Sequence, residues 1–151
     1  MFSGRNWKEG VPDKVDGLYH ILTEDWDETA LGILLSVLHH RNRQVPRSVS
    51  LEMLAKVTVL IDYYDCAEAA ELSTEIWVGY VRKNYPVPST MCRNLMLWMC
   101  IAWVLRLPAE FKYTTKIALR SNSQELSTLG LPIMGCIGKF KKLWETVTLT
   151  F

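Results

Sequence analysis

Apolar positions recur at helical spacing through much of the chain. Leu31, Leu34, Leu35 and Leu38 fall at i, i+3, i+4 and i+7, the spacing of one buried helical face. Asp25 stands where an N-cap is wanted, and Glu28 three residues on completes a capping box. Asp27 and Glu28 also put negative charge at the positive end of the helix dipole. The pattern predicts a helix from Asp25 that ends near His40. Arg41-Asn42-Arg43-Gln44-Val45-Pro46-Arg47 comes next as a basic link, in which Pro46 disfavours helix at Val45. Ser50 is the next N-cap, and Leu54, Val57, Ile61 and Tyr64 give a second stripe. Asp65 breaks that stripe and can cap the next helix. Ala69, Ala70, Ser73, Ile76, Trp77, Tyr80 and Val81 mark that third helix, whose small residues near its start allow close packing.

The flanks are less regular. Residues 1–17 hold Gly4, Gly10, Pro12 and Gly17 among mixed charges and show no strong period. From Val15 to Leu22 the pattern partly alternates. Leu18, His20 and Leu22 share one face, and a short strand is expected with Gly17 at its entry. Asn84 to Ser89 holds Pro86 and Pro88 and reads as a linker. Thr90 to Leu107 is helical and apolar almost all round, so it should be largely covered. Pro108 suits the first turn of another helix, which runs to about Arg120. Leu126 to Ile133 is broken by Gly130 and Pro132. The residues from Gly138 to Phe151 start basic, with Lys139, Lys141 and Lys142, and finish β-branched; helix, strand and loose tail all remain open there.

Composition narrows the class of protein more than its chemistry. The 151 residues suit about one domain. Net charge is +1, so no one-signed field favours nucleic acid or a membrane surface. The longest apolar run, Leu95 to Leu105, is shorter than the roughly 20 residues a bilayer requires, and Arg93 and Arg106 bracket it. Cys66, Cys92, Cys100 and Cys136 lie far apart without a C-x-x-C, and Met1 to Glu9 carries no apolar signal-like run. They read as reduced thiols of an intracellular protein, nucleus or cytoplasm unresolved.

Candidate chemistry is sparse. His39 and His40 are adjacent, so on a helix they point about 100° apart and suit one metal ion poorly. Cys66 would need His20 or His39 brought beside it to act as a nucleophile. Asp62 and Asp65 can be imagined as paired carboxylates, although capping explains them more simply. No phosphate-cradling glycine loop is present. No catalytic, cofactor-binding or metal residue is assigned, no cofactor is expected, and the protein reads as a non-enzyme. Trp77, Trp98 and Trp103 have apolar neighbours and suit a core, whereas Trp7 and Trp26 sit near element starts and are candidate partner anchors.

An ordered set of elements resembles a BTB/POZ domain. It comprises the strand at Val15–Leu22, Asp25-x-x-Glu28-Thr29-Ala30-Leu31 opening a helix, Ile33 to His39 continuing it, and Asp62-Tyr63-Tyr64-Asp65-Cys66 closing the next. Val45-Pro46-Arg47 is similar to a feature of fungal BTB-domain proteins. Trp98, Ile101-Ala102-Trp103, Leu107-Pro108-Ala109-Glu110-Phe111 and Thr115-Lys116-Ile117-Ala118 resemble the helical C-terminal extension of the same proteins. Met1-Phe2-Ser3-Gly4 and Trp7-Lys8-Glu9-Gly10 look like the end of the helix that precedes the strand. On that alignment the family's initial β-hairpin and first helix are missing.

The resemblance implies a mainly α fold of the α+β family, a truncated BTB/POZ-like helical cluster with one or two short strands. It places a partial BTB/POZ-like domain at 1–83, a linker at 84–89, a helical extension packed on the domain at 90–133 and a divergent tail at 134–151. It implies a non-enzymatic protein–protein interaction module, acting in oligomerisation or as an adaptor. Its partners would be a protein or a second copy, with a cullin-type ubiquitin ligase or a transcription-associated scaffold as settings, and neither nucleic acid nor membrane. The alternatives are a degenerate or fragmentary domain without independent function and, remotely, a small enzyme.

Overall fold

The computed structural model describes residues 26–120, together with the backbone of two short strands, β1 (Asp13–Val15) and β2 (Leu18–His20). The strands pair antiparallel with Val15 opposite Leu18. That register leaves Asp16-Gly17 between them, a pair favoured in two-residue hairpin loops. Of the strand expected over Val15–Leu22, Val15 ends β1 and Leu18–His20 forms β2, while Asp16, Gly17, Ile21 and Leu22 lie outside the described residues.

Among the described residues the fold is mainly helical. Five helices come in order: α1 (Glu28–Leu38), α2 (Leu51–Tyr64), α3 (Ala67–Asn84), α4 (Arg93–Val104) and α5 (Pro108–Arg120). Helix α2 is central and touches α1, α3 and α4, while α5 lies against α4. Leu54, Val57, Leu60 and Ile61 of α2 are fully buried. Helix α4 buries eight consecutive residues, Leu95 to Ala102, as its apolar circumference requires. Leu97, Trp98, Cys100 and Ile101 share one core with Leu34, Leu54, Ile61, Trp77 and Val81, so α1 to α4 enclose a common interior. A smaller cluster of Met96, Met99 and Ala118 joins α4 to α5.

Local chemistry fixes the helix starts. Ser50 caps α2, its hydroxyl accepting from the Met53 amide at 3.2 Å. The cap of α1 is Asp27 and not the expected Asp25. One Asp27 carboxylate oxygen accepts from the Ala30 amide at 2.9 Å, and the other takes Lys56 of α2 at 2.8 Å. Asp27 therefore satisfies an orphan amide of α1 and ties the helix to α2, which a cap two residues earlier would not do.

The helix ends share one device. His40, Asp65 and Arg106 each adopt a left-handed conformation, with φ of 55°, 54° and 54°. Beyond each, the next amide reaches back five residues: Arg41 to Ser36, Cys66 to Ile61 and Leu107 to Ala102. This is a Schellman-type closure made without the glycine that usually accommodates it. Asp65 closes α2 in this way, and Cys66 occupies the N-cap of α3 without a side-chain cap bond.

Ion pairs add clips between elements. Arg93 makes a two-pronged contact with Glu52, at 3.0 and 3.1 Å, and Arg82 pairs with Glu110 at 2.6 Å. The Lys56 hydrogen bond holds the Asp27 carboxyl below its ordinary value, and Arg93 does the same for Glu52. Depressed folded-state values mean that the unfolded chain binds more protons as acid is added. The contribution of these pairs is present above the ordinary carboxylate range and is lost as pH falls through it. Melting curves should therefore hold steady down to about pH 5 and shift down below about pH 4.5. Lys56→Met should make that acid shift shallower; an unchanged acid profile would show that the Asp27 pair contributes nothing.

Candidate functional site

The residues with chemical potential are placed apart. His39 is the C-cap of α1 and His40 is the left-handed residue after it, both exposed. Cys66 is buried at the α2–α3 junction with its thiol 3.9 Å from the Ile61 carbonyl. Burial pushes the Cys66 thiol above its ordinary value, the opposite of what a nucleophile needs. Cys100 is also buried, and Cys92 is exposed at the start of α4. A thiol reagent should accordingly modify Cys92 quickly in the folded chain and reach Cys66 only on unfolding; rapid labelling of Cys66 in native conditions would contradict its placement. The side chains of His20, Trp7 and Cys136 lie outside the described residues. Asp62 and Asp65 each have an interaction within the fold. Among the described residues no three His, Cys, Asp or Glu side chains gather as metal ligands would, and no helix is long and apolar enough to cross a membrane.

The tryptophans divide by role. Trp77 and Trp98 are fully buried, and each indole N–H finds a backbone carbonyl in a connecting segment. Trp77 donates to Pro46 at 2.6 Å, and Trp98 donates to Tyr85 at 2.9 Å. The first bond anchors the basic link between α1 and α2; the second anchors the connection between α3 and α4. Trp103 is half-buried against Phe111 of α5, with ring centroids 5.5 Å apart. Trp26, a candidate partner anchor, packs on the end of α2, its ring centroid 4.9 Å from that of Tyr63.

The basic link is well held. Arg41, Arg43 and Arg47 are exposed, the Gln44 amide closes a turn on the Arg41 carbonyl at 2.8 Å, and Trp77 fixes Pro46. Residues His40 to Gln44 line only a shallow, open hollow.

The outer side of α3 is different in kind. Leu72, Ile76 and Tyr80 stand one helical turn apart and are 72%, 53% and 41% exposed. At 1.5 Å rise per residue they form a stripe about 12 Å long. Glu68, Glu71 and Glu75 run along one edge of it, all exposed. The inward side of α3 carries Ala70, Thr74, Trp77, Val78 and Val81. Of the residues that mark the expected helix, Ile76 and Tyr80 are exposed, whereas Ala70, Trp77 and Val81 are buried. Thr74 lies on that inward side, its hydroxyl bonding back to the Glu71 carbonyl at 2.8 Å, so a polar residue sits satisfied in the interior. The expected α1 face needs a correction. Ala30, Leu34 and Val37 form its centre, and Leu35 is 44% exposed. Leu72 has no place in the face expected from the sequence. Its signal is the i, i+4, i+8 spacing with Ile76 and Tyr80, which competes with the Ala70–Trp77–Val81 face.

No protein-family model, no curated protein and no solved structure matches the chain.

Proposed function

We propose that the chain is a non-enzymatic protein–protein interaction module of the BTB/POZ type, and that it binds through the outer face of α3. The observation that carries this reading is the stripe of Leu72, Ile76 and Tyr80, uncovered and edged by Glu68, Glu71 and Glu75. Large apolar side chains held in a row on one helix are what a partner helix or segment buries. The glutamates select for a partner whose apolar residues are interleaved with lysine or arginine. The family reading rests on the sequence resemblance of residues 1–83 and 88–133; the proposed settings are oligomerisation or an adaptor role, a cullin-type ligase among them.

The test uses a defined probe, a labelled synthetic amphipathic Lys/Leu peptide of about four helical turns. Titrated with the full chain and followed by fluorescence anisotropy, it should bind saturably. Leu72→Asp/Ile76→Asp should remove that binding. Absence of binding, or binding indifferent to the double substitution, would sink the reading.

A further inference from the structure

We infer that the partner of the α3 face is a second copy of this chain, docked as an antiparallel pair of α3 helices in which Ile76 of each copy lies against Gly79 of the other. This rests on the reading of the α3 face as a docking surface and names its occupant. Two features point to a second copy. The first is the order of charges along the helix. Glu68, Glu71 and Glu75 stand in the first half of α3, and Arg82 and Lys83 stand in its last turn, all exposed. The end of α3 therefore offers what the glutamates select for, apolar Ile76 and Tyr80 followed by basic side chains. Arg82 is engaged by Glu110 of α5, so Lys83 is the cation left for this role. A parallel pair would set like charges together. An antiparallel pair sets the acidic half of each helix against the basic end of the other and also opposes the two helix dipoles.

The second feature is Gly79. It lies about 20° from Leu72 around the helix, within the same exposed stripe. A Cβ added there meets nothing within 4 Å, so no contact inside the chain calls for a glycine, although glycine is disfavoured in a helix interior. Close approach of a second helix accounts for it, because the side chains at the crossing set the distance between helix axes. A two-fold pair uses each contact twice. With Ile76 over Gly79 of the other copy, the aliphatic stem of Lys83 covers Leu72 of the other copy. The Lys83 ammonium then falls between Glu68 and Glu75 there.

Sedimentation of the full chain tests this. The unaltered chain should pass reversibly from monomer to dimer with a dissociation constant on the order of 100 µM, because one helix pair is at the small end of specific interfaces. Leu72→Asp/Ile76→Asp should weaken the dimer at least about 30-fold. Lys83→Glu alone, or Glu68→Lys/Glu75→Lys alone, brings like charges together and should weaken it at least about tenfold. An equal mixture of those two variants restores opposite charges at both ends and should dimerise as the unaltered chain does. A mixture that stays monomeric would overturn the antiparallel arrangement. A dimer that ignores Leu72→Asp/Ile76→Asp would overturn α3 as its interface. Monomer at every concentration, with the Lys/Leu probe still bound through Leu72 and Ile76, would overturn the second copy and leave the docking face standing. Monomer with no such probe binding would overturn the docking face as well.

A second measurement needs no substitution and so does not depend on a variant folding. Along α3, Lys83 lies about 12 Å from Glu75 and about 22 Å from Glu68, too far for a zero-length link within one helix. Carbodiimide treatment of an equal mixture of ¹⁴N and ¹⁵N chains should nevertheless join Lys83 to Glu75 or Glu68, with isotopically mixed links among the products. Absence of mixed links would overturn the pairing.

Discussion

Trp77→Ala lowers the melting temperature by on the order of 10 °C and frees the Arg41–Arg47 link before it disturbs α4. The substitution removes a fully buried indole from the interior shared by α1 to α4, which costs about 3–5 kcal/mol in transfer and cavity terms. For a domain of this size each kcal/mol moves the midpoint by roughly 3 °C. The local effect is more diagnostic than the global one. The indole N–H is the donor that fixes the Pro46 carbonyl at 2.6 Å, so its loss also leaves that acceptor without this partner. Amide hydrogen exchange should accelerate around Arg41 to Val49 beyond the increase expected from lower stability alone. Trp98→Ala gives the matching control, because its indole holds Tyr85 instead. That variant should loosen residues 85–91 and spare the basic link. If the two variants loosen the same segments, the indoles act only as core volume and the latch assignment is wrong.

Leu72→Asp/Ile76→Asp has the opposite profile: a large effect on binding and a small one on folding. Both side chains are mostly exposed, and exposed substitutions away from caps and buried partners usually change stability by no more than about 0.5 kcal/mol. Helix propensity falls on replacing leucine and isoleucine by aspartate, and the new carboxylates meet Glu68 and each other at i,i+4 spacing, so a drop of about 3–5 °C is expected. Central apolar residues of an interface, by contrast, typically cost about 2 kcal/mol or more when lost, which is roughly a 30-fold loss of affinity. The aspartates also place unpaired charge where a partner would bury it. Affinity for the Lys/Leu probe should fall at least about 30-fold while the melting temperature falls by no more than about 5 °C. A comparable fall in both would show that Leu72 and Ile76 matter to the fold and would remove the case for a docking face.

The helices are legible in the sequence where local chemistry and periodicity agree. Ser50 and Pro108 mark the starts of α2 and α5, and the all-round apolar run announces α4. The helix ends are harder to place because His40 and Arg106 take a left-handed conformation that sequence usually signals with glycine. The α1 cap lies two residues beyond the expected one because Asp27 is chosen by its bond to Lys56, a tertiary contact. The hairpin signal is present in Asp16-Gly17, although the alternation beyond it suggests one longer strand.

Facing is harder still. A buried threonine looks like a break in an apolar stripe, yet Thr58, Thr74 and Thr114 all lie inside, each bonding to a carbonyl of its own helix. In α3 the inward side carries Thr74 with Ala70, Trp77, Val78 and Val81, and leaves Ile76 and Tyr80 exposed. Ile76 and Tyr80 thereby belong to the candidate surface, with Leu72 beside them. The candidate site is therefore the part least legible in the sequence, because it depends on which of two overlapping stripes the rest of the fold covers.

The most direct test of that surface is amide chemical-shift mapping of the full ¹⁵N-labelled chain during titration with the Lys/Leu peptide. The account predicts saturable shifts concentrated on α3 at Leu72, Ile76 and Tyr80 and at the neighbouring Glu68, Glu71 and Glu75. Shifts centred instead on Arg41 to Arg47 or on Trp26, or no saturable shifts at any accessible peptide concentration, would contradict it.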